Sequence, residues 1–83
     1  MYYLYILQDL SDSEHFYTGS TTDLKRRVDE HNRGASAYTK NRKWRLVYYE
    51  AYLTLDAARE REATLKRNAN MKRFLIDRIK KHL

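Results

Sequence analysis

Five polar side chains occupy positions where the sequence pattern calls for apolar ones: Tyr5, Tyr17, Arg27, His31 and Glu62. In the stretch YTGSTTDLKRRVDEH (residues 17–31), Leu24, Arg27, Val28 and His31 stand at i, i+3, i+4 and i+7, on one face of a helix. An arginine and a histidine four residues apart on a core-facing stripe would direct a guanidinium and an imidazole into a cleft beside the packed interior. Glu62 shares a second stripe with Ala58, Leu65 and Ala69. A carboxylate there costs several kcal/mol unless it is paired or bound to a metal. Each residue alone has a structural explanation. A strand tyrosine packs, Arg27 and Glu62 pair between two helices, and His31 caps a helix end. Together they supply hydroxyls, a fixed cation, a titratable base and a carboxylate. That set suits phosphodiester chemistry, which needs an activated water, a held phosphate and a divalent ion.

The elements that must position these groups follow from pattern. Tyr2 to Leu7 (YYLYIL) is an unbroken apolar and aromatic run, as expected of a central strand covered on both faces. Asp9 to Glu14 is polar and leads into a second strand-like run from His15 to Gly19, so a hairpin is predicted. Tyr5 and Tyr17 then lie on neighbouring strands, and register decides whether they share a face. Thr21 or Thr22 is the expected N-cap of the following helix, with Asp23 in its first turn. This helix should run to about Arg33 and close at Gly34. Ala35 to Lys43 has no period and reads as a loop containing at most a helical turn. Trp44 to Tyr52 is a third strand, and no proline interrupts any strand. Thr54 caps a second helix, whose pattern breaks at Ala69 and Asn70. A last helix should place Met71, Phe74, Leu75 and Ile79 inward and Lys72, Arg73, Lys80 and Lys81 outward. The order β-β-α-β-α-α predicts an α+β domain, a small three-stranded sheet flanked by helices over residues 1–83.

Charge narrows the function. The 83 residues carry 17 Lys and Arg against 11 Asp and Glu, a net charge of +6. This points to a polyanionic partner, first of all nucleic acid. Eight tyrosines interleaved with the cations suit contact with phosphates and bases, although most fall on strand patterns, where aromatics are ordinary. Without cysteine there is no disulfide and no thiolate metal site. Met1 leads directly into YYLYIL with no basic n-region, so no signal peptide is expected. No apolar run approaches the roughly 20 residues that span a bilayer. The expectation is a cytoplasmic protein with no membrane partner. Lys40, Arg42 and Lys43 in the 35–43 loop are the expected nucleic-acid backbone contacts. Trp44 would either stack on a base or sit buried as a strand aromatic.

With these residues in view, the chain resembles the GIY-YIG nuclease domain in its small stand-alone bacterial form. Tyr3-Leu4-Tyr5 corresponds to the first motif and Tyr17-Thr18-Gly19 to the second. Arg27 and His31 stand on the helix that follows, and REATLKR (Arg61 to Arg67) resembles the segment around the family's glutamate, here Glu62. The run from Tyr38 to Glu50 is similar to the third strand and its approach. Tyr3 replaces the glycine of the first motif and Thr18 the isoleucine of the second. The resemblance implies an antiparallel sheet and a structure-directed endonuclease leaving 5′-phosphate and 3′-hydroxyl ends on DNA. It also implies one Mg2+ or Mn2+ held by Glu62, the scissile phosphate held by Arg27, and Tyr5 as general base with Tyr17 orienting it. A tyrosine titrates near pH 10, so this role requires the site to lower the Tyr5 pKa, with Arg27, the metal and His31 supplying the field. The alternative is a nucleic-acid-binding module of the same fold with a vestigial site. No helix-turn-helix or zinc finger accompanies the motifs, so sequence-specific cutting would need a protein partner or dimerisation.

Overall fold

The computed structural model describes residues 1–34, 36, 37 and 39–83. Strands β1 (Tyr2–Asp9), β2 (Asp12–Thr21) and β3 (Trp44–Tyr52) and helices α1 (Leu24–Asn32), α2 (Leu55–Arg67) and α3 (Ala69–Lys80) follow the predicted order β-β-α-β-α-α. The sheet is antiparallel with strand order β2-β1-β3, so the apolar YYLYIL run is central. Both of its faces are covered. Leu4 and Ile6 pack with Leu65, Leu75 and Ile79 from α2 and α3. Tyr5 and Leu7 pack on the opposite face with Trp44, Tyr17, Leu46 and the α1 residues Leu24 and Val28.

The hairpin is tighter than the sequence pattern suggests, because β1 runs on through Gln8 and Asp9, both buried. Asp9 is satisfied rather than solvated. Its carboxylate accepts from the Ser11 backbone N–H at 2.8 Å, the Ser11 hydroxyl at 2.7 Å and His15 Nδ1 at 3.1 Å, and it pairs with Arg42. These donors, led by Ser11, hold its pKa far below the usual carboxylate range.

The N-cap of α1 is Asp23, not Thr21 or Thr22: its side chain accepts from the Arg26 N–H at 3.0 Å. Thr21 still belongs to β2, and its hydroxyl accepts from the Asp23 N–H at 3.1 Å. The helix closes as expected, with Gly34 at φ 80. Thr54 caps α2, accepting from Ala57 N–H at 3.1 Å. The break between α2 and α3 falls at Asn68, which ends one helix and caps the next by accepting from Met71 N–H at 3.1 Å. That break resets the helical phase. Ala69 is therefore exposed, and Leu75, Ile76 and Ile79 face the core, whereas Phe74 is 66 % and Met71 38 % exposed, against expectation. Arg73 lies over the outward Phe74 ring, 5.5 Å from its centroid. Among the described residues no helix is long and apolar enough to cross a membrane.

Candidate active site

Register decides what the tyrosines do. β1 and β2 pair Tyr5 with Gly19 and Leu7 with Tyr17, so the two tyrosines share the face covered by α1, offset by two positions along the ladder. Their ring centroids are 6.4 Å apart. From α1, His31 enters between them: its Nε2 lies 2.7 Å from the Tyr5 hydroxyl, and its ring centroid 4.9 Å from that of Tyr17. Gly19 leaves the space in which the Tyr5 ring ends. A Cβ there would stand 2.5 Å from the Tyr5 hydroxyl oxygen.

Arg27 stands near the Tyr5 hydroxyl on the same helix as His31 and pairs with Glu30, Nη1 to Oε1 at 3.2 Å. The Thr39 hydroxyl donates to the Ser36 carbonyl at 3.5 Å, which leaves its oxygen to accept from His31 Nδ1 at 2.7 Å. With its proton on Nδ1, His31 accepts at Nε2 from the Tyr5 hydroxyl at 2.7 Å.

Protonation states follow from burial. Tyr5 is 1 % exposed, and desolvation pushes its pKa up to about 12, against the opposing pull of Arg27. Burial thus outweighs the single neighbouring cation, so the side chains by themselves do not lower the Tyr5 pKa, and the expected lowering would have to come from the metal. His31 is fully buried, and desolvation, then the Arg27 charge, lowers its pKa from 6.5 to about 4. It is a neutral imidazole at pH 7. The sign for stability is direct. Between pH 6.5 and about 4 the unfolded chain takes up a proton that the folded chain refuses. The His31 contribution is therefore whole above pH 6.5 and is lost as pH falls, by about 3 kcal/mol at pH 4 and below. Denaturant melts at pH 7.0, 5.5 and 4.5 should show this loss, and His31→Gln should flatten the dependence across that window.

Glu62 arrives from α2, at the exposed edge of β2. The Ser20 hydroxyl donates to its Oε1 at 2.6 Å and Lys66 Nζ to its Oε2 at 2.7 Å. Lys66 also lies 5.9 Å from the centroid of the Tyr17 ring. Arg27 and Glu62 do not form the inter-helix ion pair that their positions allow, since each has a nearer partner. Both lie near enough to the Tyr5 hydroxyl to bear on its titration, Arg27 lowering its pKa and Glu62 raising it. Tyr5, Tyr17, Arg27, His31 and Glu62 therefore gather beside Gly19, at the edge of the sheet.

Among the described residues no three carboxylate or imidazole groups form a metal cluster. Mg2+ commonly binds through one or two carboxylates, waters and substrate phosphate oxygens. A partly exposed Glu62 beside the Ser20 hydroxyl fits that donor set, with Lys66 as the cation to be displaced.

The loop cations diverge. Arg42 is taken up by Asp9, Lys43 Nζ donates to the Asn32 carbonyl at 2.7 Å, and Lys40 has no ion-pair partner among the described residues. Trp44 is 2 % exposed and its Nε1 donates to the Thr39 carbonyl at 3.2 Å, so it is a buried strand aromatic and not a base-stacking platform. Ala35 and Tyr38 lie outside the described residues, and with them part of the expected loop and its helical turn. Thr39, Ser20 and Lys66 join the site without having been anticipated. Lys66, four residues after Glu62, was open to discovery by helical spacing. Ser20 depended on strand register and Thr39 on loop packing, neither of which leaves a periodic signal.

The model of the GIY-YIG catalytic domain matches residues 1–74. The chain is 45 % identical over 67 residues to a UPF0213 protein of Haloquadratum walsbyi, covering 78 % of this chain and 73 % of the relative. It is 42 % identical over 67 residues to a UPF0213 protein of Streptococcus pyogenes serotype M3, covering 78 % and 71 %. Neither name states an activity. No solved structure matches the chain significantly.

Proposed function

The chain belongs to the GIY-YIG family, and from that premise we propose that it is a metal-dependent endonuclease hydrolysing phosphodiester bonds in DNA, with 5′-phosphate and 3′-hydroxyl products. The observation that carries this reading is the convergence at Gly19: the Tyr5 hydroxyl opposite it lies 2.7 Å from His31 Nε2, Glu62 is held 2.6 Å from the hydroxyl of the next residue, Ser20, and Arg27 stands on the His31 helix beside Tyr5. A phosphate between Arg27 and Glu62 would meet a fixed donor on one side and a carboxylate able to hold a cation on the other.

In this mechanism Arg27 binds the non-bridging oxygens of the scissile phosphate through its planar fork of donors. Glu62, with Ser20 beside it, would hold Mg2+ or Mn2+. When bound, such an ion supplies positive charge to the phosphate and to the departing 3′ oxygen. The base is the Tyr5–His31 pair and not a free phenolate. As the attacking water loses a proton to the Tyr5 oxygen, the Tyr5 proton moves along the existing hydrogen bond to His31 Nε2. The negative phosphate favours the imidazolium that results. Tyr17, half-buried above His31, borders the water and excludes bulk solvent.

Substrate choice is by shape, such as flaps, branches or single strands, with sequence specificity left to a protein partner, and the setting is the cytoplasm. The test is incubation with labelled branched, flapped and duplex DNA, and with RNA, in Mg2+ or Mn2+. Wild type should cut DNA. Arg27→Ala should lower turnover about 100-fold while weakening binding only a few-fold, as for removal of one donor aimed at developing charge. Salt-dependent binding without cleavage of any substrate would sink the enzyme and leave the binding module.

A further inference from the structure

Thr39 stands in the loop between α1 and β3 and is fully buried. Its backbone is held independently of its side chain. The Thr39 N–H donates to the Ser36 carbonyl at 3.2 Å, and the Thr39 carbonyl accepts from the Arg42 N–H at 3.3 Å and from Trp44 Nε1 at 3.2 Å. Two further ties fix the segment. Arg42 pairs with the buried Asp9 carboxylate. Asn32, the last residue of α1, spans the Trp44 backbone, donating to its carbonyl at 3.0 Å and accepting from its N–H at 2.7 Å. The loop therefore keeps its course without the Thr39 hydroxyl, and a valine of the same shape would fill the position.

What the hydroxyl meets is His31 Nδ1, 2.7 Å away. His31 is fully buried, so neither ring nitrogen can turn to water. A neutral imidazole carries one N–H, and the hydrogen bond made by one nitrogen decides the state of the other. Two hydroxyls flank this ring, Tyr5 at Nε2 and Thr39 at Nδ1, and a hydroxyl can donate or accept. The Ser36 carbonyl removes the ambiguity, because it can only accept and Thr39 donates to it at 3.5 Å. The Thr39 oxygen is left to accept from Nδ1, and Nε2 meets Tyr5 with its lone pair.

We propose that Thr39 is a positioning residue for the Tyr5–His31 base: its hydroxyl oxygen holds the Nδ1–H and so keeps the unprotonated Nε2 against the Tyr5 hydroxyl. The role rests on the nuclease reading above and extends it by one residue. As the attacking water gives a proton to the Tyr5 oxygen and the Tyr5 proton passes to Nε2, the ring becomes an imidazolium protonated on both nitrogens. A charged donor bonds about twice as strongly as a neutral one. Thr39 therefore stabilises the protonated ring more than the resting one, which is the condition for a group to raise a rate. Being fully buried, it acts through His31 and not on the substrate.

The test uses protein labelled with nitrogen-15 histidine and two-bond proton–nitrogen correlation spectra at pH 7, with His31→Gln identifying the His31 signals. Single-turnover cleavage of labelled flapped DNA in Mg2+ is measured in parallel, and binding in EDTA. Wild type should show a protonated, pyrrole-like Nδ1 with a slowly exchanging proton, and an unprotonated, pyridine-like Nε2. Thr39→Val should lose that slowly exchanging proton and cut about 30-fold more slowly, while binding DNA within about twofold of wild type. Thr39→Ser keeps the oxygen and should recover the proton signal, and the rate to within about threefold. A wild-type spectrum with the proton on Nε2 overturns the proposal without any substitution at Thr39. A Thr39→Val variant that cuts at the wild-type rate, or a Thr39→Ser variant as slow as Thr39→Val, overturns the positioning role and leaves the nuclease. Wild type that cuts no substrate overturns the nuclease reading and the positioning role with it.

Discussion

Glu62→Gln is expected to lower single-turnover cleavage about 1000-fold, or ~4 kcal/mol of transition-state stabilisation, with DNA binding unchanged or slightly tighter. The carboxylate is the one acidic group at the site that is both partly open to solvent and adjacent to the Tyr5 hydroxyl through its charge. The amide keeps the shape and can still accept from Ser20, which lies 2.6 Å from Oε1. It cannot hold a hard divalent cation in competition with water. Removing a negative charge that faces a polyanion favours binding, so loss of rate and gain of affinity should move together. Stability should barely change. The pair with Lys66 is an i,i+4 contact with the lysine half-exposed, and such pairs contribute about 0.3–0.5 kcal/mol. Wild type and variant purified side by side and assayed on the same labelled substrates make the measurement. Equal residual nicking would assign the activity to a contaminant and remove Glu62 from the chemistry.

Gly19→Ala should cost both stability and activity, for a steric reason confined to one ring. Its Cβ would lie 2.5 Å from the Tyr5 hydroxyl oxygen, 2.7 Å from Cζ and 3.1 Å from Cε1. The ring has nowhere to retreat: Tyr5 is 1 % exposed and packed with Leu7 and Trp44. Overpacking of this kind costs about 1–3 kcal/mol, which in a domain of this size lowers Tm by roughly 4–8 °C per kcal/mol. The displaced hydroxyl also loses its 2.7 Å contact with His31 Nε2. A misplacement of about 1 Å in a positioned group can lower a rate about 100-fold. The double variant with Tyr5→Phe removes the closest clash and should recover part of the stability but none of the activity. Full cleavage by Gly19→Ala would show that the close approach of β2 to the Tyr5 ring is a packing detail.

Much of this architecture is legible in the chain. Six uninterrupted apolar residues call for a strand covered on both faces, and β1 places Leu4 and Ile6 in one core and Tyr5 and Leu7 in the other. The spacing of Leu24, Arg27, Val28 and His31 places an arginine and a histidine on the inner face of α1, since a helix returns every 3.6 residues whatever it packs against. Thr54 as a cap and Trp44 to Tyr52 as a strand are similarly local. Each of these readings needs only the geometry of one element.

What escaped the sequence depends on how elements meet. A break at Asn68 rather than one or two residues later turned Phe74 outward. Asp9, polar and next to a turn, reads as loop, yet four donors from three parts of the chain allow it to be buried. Arg42 reads as a free cation until Asp9 is found beside it. The stretch from Tyr17 to His31 could be recognised as half of a candidate site, but its other half came from three separate alignments: the register that sets Gly19 against Tyr5, the loop that brings Thr39 to His31, and the edge where Ser20 meets Glu62. The protonation states came from the same source. Residue type gives a tyrosine near 10 and a histidine near 6.5; only burial on the α1 face moves them apart, to about 12 and about 4, and so leaves a protonated phenol beside a neutral imidazole. Side-chain chemistry and helical or strand period are written in the chain, whereas desolvation and hydrogen-bond partners arise only when distant segments close around them.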